Sequence, residues 1–301
     1  MAGTDEQSTA EWRDADGNEI DEDDRGLVYD IRTLVNRRNV LGLFGGVAVA
    51  SLLAACSSPG SSTAAGTAAA TSTPTATAGT GAATSTATAT PEPDLTEVPD
   101  ETAGPYPGDG SNGVNVLDDS GIVRSDIRSS FGSSTTTAAG VPLTIRLTVR
   151  DASTGGALAG AAVYLWHCNR DGEYSLYGSG LTNENYLRGV QEVGADGTVS
   201  FTSIYPAAYS GRWPHIHFEV YKDVATAVAS GPIVKTSQIA LPQETCEAVY
   251  ATSGYEQSVR NLASTSLAKD NVFGNDSGIH QIASMSGSVA AGYTAALTIG
   301  V

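Results

Sequence analysis

The amino-acid sequence predicts an all-β protein, a β-sandwich of mainly antiparallel strands with long loops and little helix. Three observations carry this expectation. Apolar and polar residues alternate over short stretches, which is the period of a half-buried strand. Turn signals rich in Gly, Asp and Pro separate those stretches. Apolar residues at helical spacing are scarce, so a bundle or an alternating α/β fold is disfavoured.

The elements follow in order. From Val141 the alternation is strict, with Val141, Leu143, Ile145, Leu147 and Val149 on one face and Pro142, Thr144, Arg146, Thr148 and Arg150 on the other. Asp151-Ala-Ser-Thr-Gly-Gly turns that strand, and Ala161-Ala-Val-Tyr-Leu-Trp166 reads as the next. Ala195-Asp-Gly197 marks a turn before the strand Thr198-Val-Ser-Phe-Thr-Ser-Ile204. Pro214 then precedes a strand in which Ile216, Phe218 and Val220 face a core while His215 and His217 share the opposite face. A short helix is expected after Pro242, at residues 244–250, and residues 293–301 alternate again and can close a sheet. No internal repeat is present.

Only part of the 301-residue chain has the composition of a folded domain. Residues 1–36 are charged, and residues 40–55 are apolar, lie behind Arg37-Arg38 and end at Cys56, which together read as an export signal over residues 1–55. Leu53-Ala-Ala-Cys56 resembles a bacterial lipobox. Arg37-Arg38 resembles a twin-arginine signal, although Asn36, Val40 and Gly42 depart from its usual flanks. The expectation is an exported protein, secreted or held at the cell surface by a lipid on Cys56. An uncleaved anchor is disfavoured, because these apolar residues include several glycines and fall short of the ~20 needed to span a bilayer. Residues 56–98 are rich in Ser, Thr, Ala and Pro, with no Lys or Arg and no large apolar residue before Leu95. Such a segment cannot repay its ordering entropy and reads as a disordered tether with a root-mean-square span of ~35 Å. Residues 99–301 remain as one domain with its own core.

Charge and cysteines narrow the function classes. Without residues 1–55 the chain loses 11 of its 33 acidic and 5 of its 16 basic residues, leaving a formal charge of −11. Nucleic acid is therefore not an expected partner, since phosphate binding needs a basic face. With Cys56 assigned to the lipobox, Cys168 and Cys246 form an even pair, which in an oxidising compartment suggests a disulfide, the alternative being two buried thiols. Oligomeric state is not readable from the sequence.

The residues with the most chemistry lie in Tyr209-Ser-Gly-Arg-Trp-Pro-His215-Ile-His217-Phe and, upstream, in Trp166-His-Cys-Asn-Arg-Asp-Gly-Glu-Tyr174. Two imidazoles on one strand face can hold one ion. A lone His-x-His is more often a structural or unrelated site, and cupins and zinc hydrolases also use it. Those folds need further histidines, whereas only His167 and His280 remain, at unsuitable spacings, and both read as structural. Glu219 shares the histidine face and reads as a neighbour of the site. Trp213 reads either as pocket lining or as packing.

These stretches, together with Glu101-Thr-Ala-Gly-Pro-Tyr-Pro, Leu187-Arg-Gly-Val-Gln191 and Lys235-Thr-Ser-Gln238, resemble the intradiol ring-cleavage dioxygenases. The resemblance implies four iron ligands, Tyr174, Tyr209, His215 and His217, with Arg212 and Gln238 flanking a bound catechol. It implies Fe(III) as the metal, catechols and O2 as the small-molecule partners, and no organic cofactor. Tyr209 would leave the metal and take up a substrate proton, Arg212 would offset charge on the substrate, and Gln238 would orient it. Cleavage between the two hydroxyl-bearing carbons would give a cis,cis-muconate-type diacid. Two phenolates and two neutral imidazoles suit a hard, highly charged cation such as ferric iron, whereas ferrous oxygenases use two histidines and a carboxylate. The chain departs from the family pattern where Pro206-Ala-Ala-Tyr209 replaces Pro-Gly-x-Tyr. The rival reading is a non-enzymatic, prealbumin-like sandwich module for binding or as a stalk, which would have no reason to place His215 and His217 after Tyr209.

Overall fold

The computed structural model describes residues 95–301, so the export signal and most of the tether lie outside the described residues. Among the described residues, eight strands form two four-stranded sheets. The first contains β1 (Pro142–Arg150), β4 (Thr198–Ile204), β7 (Ser284–Ser288) and β8 (Gly292–Gly300) in the order β4-β1-β8-β7. The second contains β2 (Ala162–Trp166), β3 (Arg188–Glu192), β5 (His215–Tyr221) and β6 (Ile233–Ala240) in the order β3-β2-β5-β6. Every pairing between these strands is antiparallel except that of β1 with β8. This is the all-β sandwich expected from the pattern.

The alternation read in β1 is the alternation that packs. Leu143, Ile145, Leu147 and Val149 are buried, Arg146 is exposed, and the buried row joins Val163, Leu165, Ile216, Phe218 and Val220 of the second sheet in one core. Removing such side chains from water contributes about 1.5–3 kcal/mol each. The second sheet is also covered on its other face, where Tyr164, Trp166 and Tyr221 pack with Val116, Leu117, Ile122 and Tyr174 from the loops. Every residue of β2 and β5 is buried as a result.

Three helices supplement the sheets among the described residues: α1 (Val224–Val228), α2 (Gln243–Tyr250) and α3 (Glu256–Ser264). α2 is the helix expected after Pro242 and buries Cys246, Val249 and Tyr250. α1 starts where the Asp223 side chain accepts a hydrogen bond from Thr226 N, a side-chain cap. Residues 97–98 run beside the end of β8, with Val98 N donating to Gly300 O. None of the described helices is long and apolar enough to cross a membrane.

The cysteine expectation needs correcting. Cys168 and Cys246 are not joined in a disulfide: each is a buried thiol. They belong to different packing clusters, Cys168 on the loop-covered face of the second sheet and Cys246 in the core between the sheets. Burial pushes the Cys246 thiol up to about 12, so it is protonated at neutral pH.

Candidate active site

The loop-covered face of the second sheet carries the site. Ile216, Phe218 and Val220 turn to the core between the sheets, which leaves His215 and His217 on the covered face, as the strand period requires. Trp166 lies opposite His217 in the β2–β5 register and stacks on its ring, with centroids 4.9 Å apart and planes at 7°. Tyr164 stacks on Trp166 in turn at 4.9 Å. This aromatic ladder fixes the plane of the His217 imidazole.

The phenols arrive on two turns. Asn169 Oδ1 accepts from the backbone N–H groups of Asp171 and Glu173, forming the turn that presents Tyr174. Gly172 in that turn has φ +90° and approaches Tyr209 so closely that a Cβ would lie 3.1 Å from the tyrosine's own Cβ. The turn before Tyr209 is held by α3: Ser258 Oγ accepts from Ala208 N at 3.1 Å, and Asn261 Nδ2 donates to Ala208 O at 2.9 Å. Neither Ala207 nor Ala208 has a positive φ. The glycine of the family pattern is therefore not required here.

Four donor atoms converge. Tyr209 Oη lies 3.0 Å from His215 Nε2, which lies 3.1 Å from His217 Nε2, and the hydroxyls of Tyr174 and Tyr209 are 3.5 Å apart. His215 Nδ1 is 2.6 Å from Trp213 O. That oxygen only accepts, so Nδ1 carries the proton and Nε2 presents its lone pair to the cluster. Burial holds both imidazoles well below the usual histidine range, helped at His215 by the positive charge of Arg212 and at His217 by His215 and then Arg212. Neutral imidazoles are the form that binds metal.

This donor set fits a cation. Donors each about 2.0–2.1 Å from one ion, at ordinary coordination angles, lie about 2.9–3.4 Å from one another, and the observed separations run from 3.0 to 3.5 Å. His217 Nδ1 is a buried nitrogen with no hydrogen-bond partner among the described residues, so this ring has no other strong polar commitment within the fold. No group of three or more His, Cys, Asp or Glu among the described residues could hold a metal, so a metal centre here has to use the phenols. Glu219 shares the histidine face, but its carboxyl is engaged further along the strand. Its Oε2 accepts from Tyr221 Oη at 2.6 Å, and burial, reinforced by the charge of Asp109, raises its carboxyl to about 8.

Arg212 and Gln238 lie beside the cluster as one buried pair, with Arg212 Nη2 donating to Gln238 Oε1 at 2.6 Å. The sequence reading missed what holds them. Asp270 accepts from Arg212 Nε at 3.0 Å and from Trp213 N at 2.6 Å through one oxygen, and from the backbone of Val272 and Phe273 through the other. Arg188, quoted only within a motif, is also buried. It donates to Ser175 Oγ and O, Tyr164 Oη, Pro107 O and Tyr106 O, which ties the loop at Tyr106 and Pro107 to the loop after Tyr174. No local pattern could have revealed either role, because their partners lie as far as 82 residues away.

The remaining candidates pack. Trp213 is buried in the core between the sheets, with Nε1 donating to Leu241 O. His167 is held between Cys168 O and Ser203 Oγ, and burial lowers it to about 4, in keeping with a structural histidine.

Comparison with known proteins bears on the segment that carries these residues. Residues 127–223 match the family model described as Dioxygenase, a segment that contains Tyr174, Tyr209, His215 and His217. A chlorocatechol 1,2-dioxygenase of Rhodococcus opacus is 39% identical over 61 residues, 20% of this chain and 23% of that protein. Catechol 1,2-dioxygenase 1 of Acinetobacter lwoffii is 33% identical over 103 residues, 28% of this chain and 33% of that one. This chain thus spans a third or less of the curated relatives it matches. Among solved structures, an intradiol ring-cleavage dioxygenase from Tetranychus urticae superposes with a TM-score of 0.54 and 24% identity, covering 68% of this chain and 94% of that one, and shares the fold. The matched segment is thus similar to the dioxygenase family, and the sandwich is similar to that of a solved intradiol dioxygenase. Within that likeness, the matched relatives are a chlorocatechol and a catechol 1,2-dioxygenase, each similar to this chain over part of its length.

Proposed function

We propose that the domain is a non-haem Fe(III) dioxygenase that cleaves catechol-type diols with O2 to muconate-type diacids. The observation that carries this reading is the succession Tyr174 Oη, Tyr209 Oη, His215 Nε2 and His217 Nε2, in which each atom lies 3.0–3.5 Å from the next. Those four residues would hold the iron, and bound ferric iron supplies the withdrawal of electron density that makes a chelated catechol ring reactive toward O2.

The chain's own residues do the rest. Tyr209 Oη sits at the His215 side of the cluster and, as the phenolate that a bound cation would favour, is placed to accept a substrate proton. Arg212, fixed by Asp270 and Gln238, presents a preorganised positive charge where negative charge develops on the diol. Gln238, whose Nε2 donates to Thr102 O, orients the diol from the same side. Burial of the cluster excludes bulk water and strengthens these interactions. A packing or stalk module would gain nothing from this buried row of phenols, imidazoles and guanidinium, which is why that rival is not favoured.

From sequence alone, we infer that the domain works outside the cell on a tether ending in a lipid at Cys56. Arg37-Arg38, the apolar residues 40–55 and Leu53-Ala-Ala-Cys56 support this. Changing Arg37 and Arg38 to lysine should then leave the chain in the cytoplasm, and normal export would reject twin-arginine transport. The catalytic reading is tested by iron content, visible absorption and oxygen uptake against a panel of catechols. One iron per chain, a tyrosinate-to-iron charge-transfer band and a colourless diacid product are expected. Stoichiometric zinc in a colourless protein, or a yellow semialdehyde product, would reject it.

A further inference from the structure

The segment that leads into the domain grips β6 along its edge. Glu101 N donates to Thr236 O at 2.9 Å on that edge. To one side of this bond Lys235 Nζ reaches Glu97 Oε1 at 2.5 Å and Asp100 Oδ1 at 3.1 Å, and to the other Gln238 Nε2 donates to Thr102 O at 3.0 Å. Lys235 and Gln238 are an odd number of positions apart in a regularly paired stretch of strand, so they project from opposite faces. Gln238 shares the covered face with its register partner His217, and Lys235 shares the other with Ile239 of the core between the sheets.

The segment is also anchored at both ends. Val98 is buried in the core, and its N–H donates to Gly300 O at 3.0 Å. A Cβ on Gly300 would lie 2.8 Å from Thr96 O, so this approach requires a glycine. Downstream, Gly104 N donates to Thr102 Oγ1 at 3.0 Å in a turn where Gly104 has φ +69°, and Arg188 holds Tyr106 O and Pro107 O. Between these anchors Lys235 is the strongest demand. Its side chain is 4% exposed, whereas those of Glu97 and Asp100 are 59% and 77% exposed. A buried ammonium needs a counter-charge, and both carboxylates that meet it belong to the segment, so satisfying Lys235 draws residues 97–100 onto β6.

The grip reaches the site at the Gln238 amide. Its Oε1 accepts from Arg212 Nη2 at 2.6 Å, and Thr102 O engages one hydrogen of its Nε2. The second hydrogen of that NH2 group remains to donate to a ligand. We propose that residues 97–102 form a positioning strap for the diol-orienting pair Arg212 and Gln238: Lys235 clamps the strap, and the strap holds Thr102 O against the Gln238 amide. The inference rests on the dioxygenase reading for what that pair orients, while the clamp itself stands on the fold. Released from Lys235, the strap no longer fixes the amide, and a diol meets a Gln238 side chain that is held by Arg212 alone.

The test uses the iron-loaded full chain carrying Lys235→Met, which keeps the buried stem and removes the charge. Glu97→Gln combined with Asp100→Asn loosens the strap from its exposed side, so the test survives if Lys235→Met fails to fold. Hydrogen exchange read by mass spectrometry needs no activity, and the Val98 and Glu101 amides should exchange faster in both variants. In both, kcat/KM for catechol should fall about fivefold to tenfold, the scale of one hydrogen bond, with iron content and charge-transfer band unchanged. KM should carry the loss, since fewer folded molecules would lower kcat alone. In a Gln238→Ala background Lys235→Met should add nothing, because the strap acts through that amide. Unchanged exchange in the variants, unchanged kcat/KM despite faster exchange, or an equal loss in the Gln238→Ala background would overturn the proposal. Faster exchange in the variants of a wild type that cleaves no diol would reject the dioxygenase reading and the positioning role with it, leaving only the clamp.

Discussion

The two sheets of this sandwich differ in how many of their faces are hidden. β1 of the first sheet alternates between buried and partly exposed residues, whereas all seven residues of β5 in the second are buried. A sheet with one wet face can carry only apolar residues inward, so its polar positions are free to vary. A sheet covered on both faces must either be apolar throughout or place polar groups where the fold satisfies them. The second sheet takes the latter course, and its row His215, His217, Glu219 and Tyr221 is where the chemistry collects. The difference shows why the candidate site lies on the second sheet: a desolvated face offers neutral imidazoles, held phenols and a fixed guanidinium that a wet face could not preorganise.

Substitutions can break this contrast, the largest effect coming from the covered face. His215→Ala or His217→Ala should abolish iron retention, a greater loss than the ~10–100-fold typical of residues that only support a ligand. Elemental analysis after gel filtration reads this directly, and normal iron content would remove the histidines from the ligand set. Tyr209→Phe should keep part of the iron and lower kcat by about 10²–10⁴, the range expected for loss of a positioned proton acceptor. Equal turnover in the two proteins would end that assignment.

Next is Asp270→Asn. It leaves the Arg212 guanidinium buried without its carboxylate, at a cost of about 3 kcal/mol or more in folding stability. Denaturant titration measures that cost, and kcat/KM should fall while the iron content holds. Phe201, fully buried in the core between the sheets, tests the first sheet, and Phe201→Ala should cost about 3–5 kcal/mol without a selective effect on iron binding by the folded protein. The smallest effect is expected at the exposed face of β1, where Arg146→Ala should stay within about 0.5 kcal/mol of wild type. A large loss there would mean that this face is covered in the working protein and that the contrast between the sheets is overstated.

Local patterns made much of this legible. The strands at 142–150, 162–166, 198–204, 215–221 and 292–300, and the helix after Pro242, lie where alternation and turn signals place them. β3, β6 and β7 were not read, for physical reasons. β7, Ser-Met-Ser-Gly-Ser, lies mostly in the open and has no apolar row, and the pairing of β6 with β5 covers residues of both kinds. α3 buries only Ser258 and Leu262 and was not read either, although it holds the turn before Tyr209.

By itself the sequence determined the sandwich class, the inward row of β1, and the shared face of His215 and His217, because each follows from a period of two acting between near neighbours. Tertiary structure alone decided the rest. It kept Cys168 and Cys246 in separate clusters, gave Asp270 to Arg212 across 58 residues, and tied Arg188 to the loops around Tyr106 and Tyr174. These are partnerships between groups far apart in the chain, and they come into being only when packing removes water and each polar atom must find a donor or acceptor among whatever the fold has brought within 3 Å.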